Sequence, residues 1–289
     1  MFDARYHVLS LAAVLVALVL GLLLGVAIGD SGLVSSAERR IRADLRSDVR
    51  AANRRADDLQ ATLSQQDRFE REVYPLLVTG QLEGQDIGVV FLGRTSDDMV
   101  GHVRDALRET GGRLRTVVTV REPVDVGGLA DAAKGTRYEP LEEDGDLLEP
   151  LGRRIGVQLV EGGRLLGAVA RPLFSTRAGQ LHPLDAVVVV RDPLSLDGEA
   201  ADRRDALENG VVAGLREAGA RAAGAETRDT DPSQIPWYQD HDLSTVDNVD
   251  DTAGQAALVF VLAGAEGDYG VKDTADALLP NVAGGAPSP

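Results

Sequence analysis

The chain has 289 residues, with 46 Asp and Glu against 30 Lys and Arg for a formal net charge of −16, no Cys and 4% aromatics. Without Cys there is no disulfide framework, no thiolate metal site and no cysteine nucleophile. The acidic balance opposes non-specific nucleic-acid binding, which depends on Lys and Arg neutralising phosphates, so no nucleic-acid partner is expected.

The charge is unevenly placed. Residues 1–29 hold Asp3 and Arg5, and residues 30–80 hold nine acids and nine arginines. The whole excess therefore lies in 81–289, with 36 acids and 20 bases. The chain reads as an apolar start, a charge-balanced stretch and an acidic globular part.

Val8 to Gly29 is a run of 22 residues without a charge, and Ser10 is its only polar side chain. A helix of that length spans about 33 Å at 1.5 Å per residue, enough for a hydrocarbon core of about 30 Å. The reading adopted is a membrane anchor over 1–30. The competing reading is a cleavable secretory signal, for which Ala27-Ile28-Gly29 offers small residues, although a signal's apolar region is shorter. Arg5 and His7 flank one end, and Asp30, Glu38, Arg39, Arg40 and Arg42 the other, so the charge rule does not decide orientation. A short flank stays inside readily, which favours a cytoplasmic N-terminus and an extracytoplasmic bulk, single-pass in the cell membrane.

Within the anchor, Ala13, Ala17, Gly21, Gly25 and Gly29 recur every four positions. Small residues on one face let helix backbones approach in lipid, where no hydrophobic drive exists between helices. The next stretch, 31–75, is expected to be a coiled-coil stalk. Between Ser35 and Tyr74 it has no Gly or Pro, and Leu45, Val49, Ala52, Ala56, Leu59 and Leu63 alternate spacings of four and three. A parallel homodimer through Gly21, Gly25, Gly29 and the Leu45–Leu63 seam is the expectation. A single amphipathic helix lying on the globular part is the alternative. Pro75 is expected to end the helix, because the residue before a proline resists helical geometry.

A globular α/β domain is expected over 81–280, its sheet mainly parallel and built from two βαβ-like units. Ile87-Gly-Val-Val-Phe-Leu92 is a continuous apolar run, as in parallel strands buried on both faces. Ser96 or Asp97 can cap a helix reaching Thr110, which Gly111 and Gly112 stop. Leu114 to Val120 follows as a strand. The pattern returns with a strand at Ala186–Val190, a helix at Glu199–Ala218 and a strand at Arg221–Thr227. Leu107-Arg-Glu-Thr-Gly-Gly-Arg113 and Leu215-Arg-Glu-Ala-Gly-Ala-Arg221 share five of seven positions, through duplication or through a common way of ending helices. Between the units, Asp146–Leu159 reads as a helix and Leu165–Ala170 as a further strand. Leu243–Val249 reads as a strand, Thr252–Gly264 as a buried helix, and 281–289 as a disordered tail.

Few residues announce chemistry. The imidazoles are His7, His102, His182 and His241, and the thioethers Met1 and Met99. Met99 and His102, three apart on a helix, share a face, and thioether with imidazole suits copper. Two ligands do not close a site. Asp247, Asp250 and Asp251 beside Asn248, and Asp97-Asp98 after the first strand, can hold Mg²⁺ or transfer protons at sheet ends, or can cap helices. Trp237-Tyr238 is either an exposed recognition element or packing on the sheet. No G-x-S-x-G, H-E-x-x-H or P-loop lysine is present.

Tyr6-His-Val-Leu-Ser-Leu-Ala-Ala13 leads into the glycine-rich anchor. Ser244-Thr-Val-Asp-Asn-Val-Asp250, Gly254-Gln255, Ala257-Leu258, Tyr269-Gly-Val-Lys272 and Leu278-Leu-Pro280 mark the far end. On these residues the chain resembles the actinobacterial copper-transporter MctB family over about 2–280. The resemblance implies an envelope protein taking part in copper export or homeostasis, with copper as the metal, and no enzymatic role. The alternative is a non-catalytic dimeric scaffold or regulator that docks a cell-wall or division partner through stalk and head. A third reading is an enzyme using Asp247 and Asp250.

Overall fold

A computed structural model describes residues 4–29, 33–181 and 183–281, with side chains for 6–27, 41–181 and 183–281. His182 and residues 282–289 of the expected tail lie outside the described residues. The chain divides into two compact units, Met1–Arg68 and Phe69–Pro289.

The first unit is helical. Helix α1 (Ala4–Gly29) carries the apolar stretch Tyr6–Ala27, of which no residue is buried. Helix α2 (Leu33–Val78) supplies the charged stretch. Its side chains from Ile41 through Leu63 lie open, including the whole seam, with Leu45 at 61% and Leu59 at 64% exposure. An apolar stripe on a charged helix is stabilised mainly by whatever covers it, and nothing within the described residues of this unit does.

In the second unit α2 continues past Pro75 instead of stopping there. The proline removes one N–H bond but leaves its own carbonyl free, and Thr79 N–H and Oγ1–H both donate to it. Tertiary anchorage holds this last turn: Tyr74 Oη–H donates to the Ala106 carbonyl at 2.7 Å, and Val78 and Leu82 are fully buried. Packing outweighs the local cost of the proline.

The mainly parallel sheet is present, in the order β3-β2-β1-β4-β5-β6-β7. Its strands are β1 (Asp86–Gly93), β2 (Arg113–Val120), β3 (Phe174–Gly179), β4 (Ala186–Asp192), β5 (Arg221–Ala225), β6 (Ser244–Val246) and β7 (Asp268–Tyr269). All neighbours run parallel except β2 and β3. The helices are α3 (Asp97–Ala106), α4 (Val126–Ala132), α5 (Leu148–Glu161), α6 (Arg164–Leu173), α7 (Glu199–Glu217), α8 (Ile235–Asp240) and α9 (Thr252–Ala263). Alternate residues of one strand enter different cores. Ile87, Val89 and Phe91 pack with Met99, Val103 and α9, whereas Val90 and Leu92 pack with Leu151, Ile155 and Val211. Helices on both faces are why β1 and β4 read as unbroken apolar runs.

Three expectations are corrected here. Residues Leu165–Ala170 belong to helix α6, not to a strand. Leu166, Val169, Ala170 and Leu173 are buried at helical spacing, and the Gln158 side chain accepts the Leu166 N–H at 2.8 Å at its first turn. Helix α3 ends at Ala106, before Thr110, because Glu109 and Gly111 take positive φ and turn the chain into β2. The strand expected over Leu243–Val249 is limited to Ser244–Val246, and the loop beyond it is held by side chains described below. The two similar heptapeptides occupy matching positions: each leaves a helix, α3 or α7, and enters a strand, β2 or β5.

Four glycines set the contact between α5 and α7. A Cβ at Gly152 or Gly156 would collide with the Leu207 or Val211 carbonyl, and one at Gly210 or Gly214 with the Glu149 or Arg153 carbonyl. Spacing of four on both helices brings the two backbones into contact.

Candidate functional site at the carboxyl edge of the sheet

In an open α/β sheet, ligands bind beyond the carboxyl ends of the strands where the strand order reverses. Here that point lies between β1 and β4. The chain has closed it with its own residues. Arg94 grips Asp192 through Nε at 2.9 Å and Nη2 at 2.6 Å, and Arg94 N–H donates to the Asp192 carbonyl at 2.8 Å. Gly93, at φ +105°, lies so near that carbonyl that a side chain would not fit. Thr95 and Thr119 hydroxyls meet at 2.7 Å beside it. The turn after β1, Arg94-Thr-Ser-Asp97, has no glycine-rich cradle for a pyrophosphate.

Behind this mouth lies a charged network that no sequence pattern announces. Arg191, at the end of β4, donates from Nε to Glu208 Oε2 at 2.9 Å and from Nη1 to Gln234 Oε1 at 2.8 Å. Its guanidinium lies 4.6 Å from the Trp237 ring centre. Glu208, inside α7, is 1% exposed. Burial pushes its carboxyl up to about 8, opposed by Arg191 and reinforced by Glu122. Glu122, in the loop after β2, accepts the Leu194 N–H at 2.7 Å. Arg204 holds the loop after β4 through the Leu194 carbonyl at 3.0 Å and pairs with Asp205. Tyr238 is fully buried; its hydroxyl accepts the Arg191 N–H at 2.7 Å and donates to the Ala225 carbonyl. Burial raises its pKa far above the usual phenol value. Trp237-Tyr238 is therefore packing on the sheet.

Farther along the same edge, the aspartate-rich segment is a structural knot. Asp247, 1% exposed, receives the Val271 and Lys272 N–H groups at 2.8 and 2.9 Å. Gly270, at φ +146°, lies against that carboxylate where any Cβ would collide. The Lys272 ammonium reaches Glu226 Oε1 and the Thr230 carbonyl. Glu226, itself buried, also accepts from Ser233 Oγ and the Gln234 N–H. Asp250 accepts the Arg228 N–H, and Asp251 caps α9 through the Gly254 N–H at 2.8 Å. Every carboxylate of this cluster is occupied by the chain itself.

The copper pair is split in environment. Met99 is 5% exposed within the core beneath α3, and His102 is half-buried one turn on. His241 stacks on Trp237 at 4.0 Å, with its nitrogens near the Trp237 carbonyl and the Asn209 side chain. His7 is exposed on α1. Among the described residues no group of three or more His, Cys, Asp or Glu is placed to hold a metal ion. A cavity of about 640 Å³ lies at the opposite, amino edge, lined by Arg216, Arg221, Asp242, Glu266 and Asp268 among others. There Arg216 and Asp242 are paired at 2.9 Å.

A family model described as copper transport outer membrane protein, MctB, matches residues 1–280. No curated protein matches the chain.

Proposed function

The chain belongs to the MctB family, and from that premise we propose that it is a membrane-anchored envelope protein taking part in copper export or homeostasis. The observation that carries the anchoring is α1: a largely apolar stretch of 22 residues, Tyr6–Ala27, none of them buried by the described rest of the chain. The family's description names copper transport and an outer membrane. The strands of this chain lie between two layers of helices, whereas a membrane barrel exposes one strand face to lipid. In this reading the chain is attached through α1, with the N-terminus cytoplasmic and the bulk of the chain extracytoplasmic. A single helix encloses no lumen, so the chain acts in an assembly. The proposed unit is a homodimer through Gly21, Gly25 and Gly29 and the Leu45–Leu63 seam. The anchor over 1–30, stalk over 31–75, acidic head over 81–280 and tail over 281–289 are its parts.

Copper is the cargo in this reading, and Met99 with His102 is the pair to test for direct contact. The test is calorimetric titration of Cu(I) and Cu(II) into the full chain in detergent. Met99→Leu removes the sulfur while keeping the buried volume, and His102→Ala removes the imidazole. The proposal expects saturable binding, weakened in the double variant. A dissociation constant no tighter than about 0.1 mM, about −5.5 kcal/mol, would overturn direct copper handling. The second reading, a dimeric scaffold docking an envelope partner, is favoured by two features: the open seam of α2 and a head whose buried Asp247 and Glu226 carboxylates are engaged by its own groups. It expects no copper binding and a partner crosslinked through stalk or head.

A further inference from the structure

Two carboxyl oxygens at the carboxyl edge, Glu122 Oε1 and Glu208 Oε1, are shut off from solvent with no donor aimed at them. Their sister oxygens are engaged, by the Leu194 N–H and by Arg191 Nε. The two side chains, one from the loop after β2 and one from the middle of α7, are within hydrogen-bonding reach of each other. Carboxylates only accept, so a bond between them requires one proton. Without it, two unscreened like charges would face each other in a site closed to water.

We propose that Glu122 and Glu208 form a proton-binding site, and that the bound proton latches the loop after β2 to α7 across the end of β4.

The surrounding charges agree with one proton. Arg191 faces the pair from β4, and Arg204 and Asp205 from α7. Arg94 and Asp192 cancel each other at the mouth. From α8 come the neutral Gln234 and Trp237 and the Tyr238 hydroxyl. Asp205, half exposed, is already paired with Arg204, which leaves Glu122 and Glu208 facing Arg191, so one retained proton makes this inner set neutral. A raised carboxyl favours the folded state at low pH. The folded chain keeps a proton that the unfolded chain gives up above the ordinary Glu value. Stability therefore falls as pH rises from that value through about 8, and levels off beyond.

Infrared spectroscopy of the full chain in detergent reads the proton directly. At about pH 6.5, where exposed carboxyls are ionised, the expected spectrum retains one carboxylic C=O stretch. The stretch should disappear with a midpoint near 8 and be missing from Glu208→Gln. The melting temperature of the wild-type chain should drop between about pH 6 and 9. In Glu208→Gln that drop should be largely abolished, and in Glu122→Gln, where an amide donates to the Glu208 carboxylate at any pH, its midpoint should move down. If Glu208→Gln fails to fold, the wild-type midpoint and Glu122→Gln still decide. Absence of a protonated carboxyl above about pH 6, or a stretch unaffected by Glu122→Gln, would overturn the proposal.

Discussion

Helices α5 and α7 of the head and helix α1 of the anchor use the same device with opposite outcomes. Gly152 and Gly156 face Gly210 and Gly214 so closely that every added Cβ would strike a backbone atom of the other helix. Gly21 and Gly25 repeat that spacing, yet a Cβ at either would meet nothing within 4 Å. The seam of α2 shows the same contrast with the head: Leu45, Val49, Leu59 and Leu63 are each more than half exposed, whereas Leu151, Leu159, Leu207 and Leu215 are at most 1% exposed. The second unit covers its apolar helix faces with its own described residues. The faces of α1 and α2 lie open among the described residues, and the proposed occupant is a second copy.

Substitutions separate these two fates. The largest effect is expected from Gly214→Val, which forces a side chain into the Arg153 carbonyl. It should cost about 3 kcal/mol or more, read by urea unfolding of the full chain in detergent, while self-association per folded molecule stays unchanged. Tyr238→Phe should cost about 1–3 kcal/mol by leaving the Arg191 N–H buried without its acceptor, again with no effect on association. Gly25→Val should do the reverse. Head stability should change by less than about 0.5 kcal/mol, while dimer affinity, read by energy transfer between labelled chains, should fall about tenfold. The smallest effect is expected from Asp251→Ala, which removes the cap of α9: about 1 kcal/mol by thermal melting. Equal responses of both regions to Gly25→Val would erase the comparison.

The same division governs what the sequence disclosed. Continuous runs such as Ile87–Leu92 and Ala186–Val190 were readable because both faces of those strands are covered. Helices α1 and α2 were readable because an unbroken apolar run and a charged stretch free of Gly and nearly free of Pro are local signals. Helix α6 was mistaken for a strand because Leu165–Ala170 is a short apolar run, and length and flanks alone do not tell the two apart. Strand β3 escaped because five of its six residues are exposed and polar or small. Strand β7 escaped because two residues carry no pattern. Pro75 misled because tertiary anchorage through Tyr74 and Val78 overrides a local rule. The charged network at the sheet's edge was invisible for a different reason: Glu122, Arg191, Glu208 and Gln234 come from four separate segments and meet only through the topology. A legible signal was passed over in α5 and α7, where Gly152 and Gly156, and Gly210 and Gly214, stand four apart. The aspartates at 247, 250 and 251 read either as chemistry or as helix caps; Asp251 caps α9 while Asp247 and Asp250 tie loops, and carboxylates that accept backbone N–H groups look like catalytic ones in a sequence.

The absence of native cysteine makes one measurement decisive for the unfinished surfaces. Single cysteines placed along α2 in membranes would be oxidised and the covalent dimer quantified. The account predicts a yield that rises at Leu45, Val49, Ala52, Ala56, Leu59 and Leu63 and falls at Ser47, Arg54 and Ala61. Yields that are flat along the helix, or negligible throughout, would contradict it.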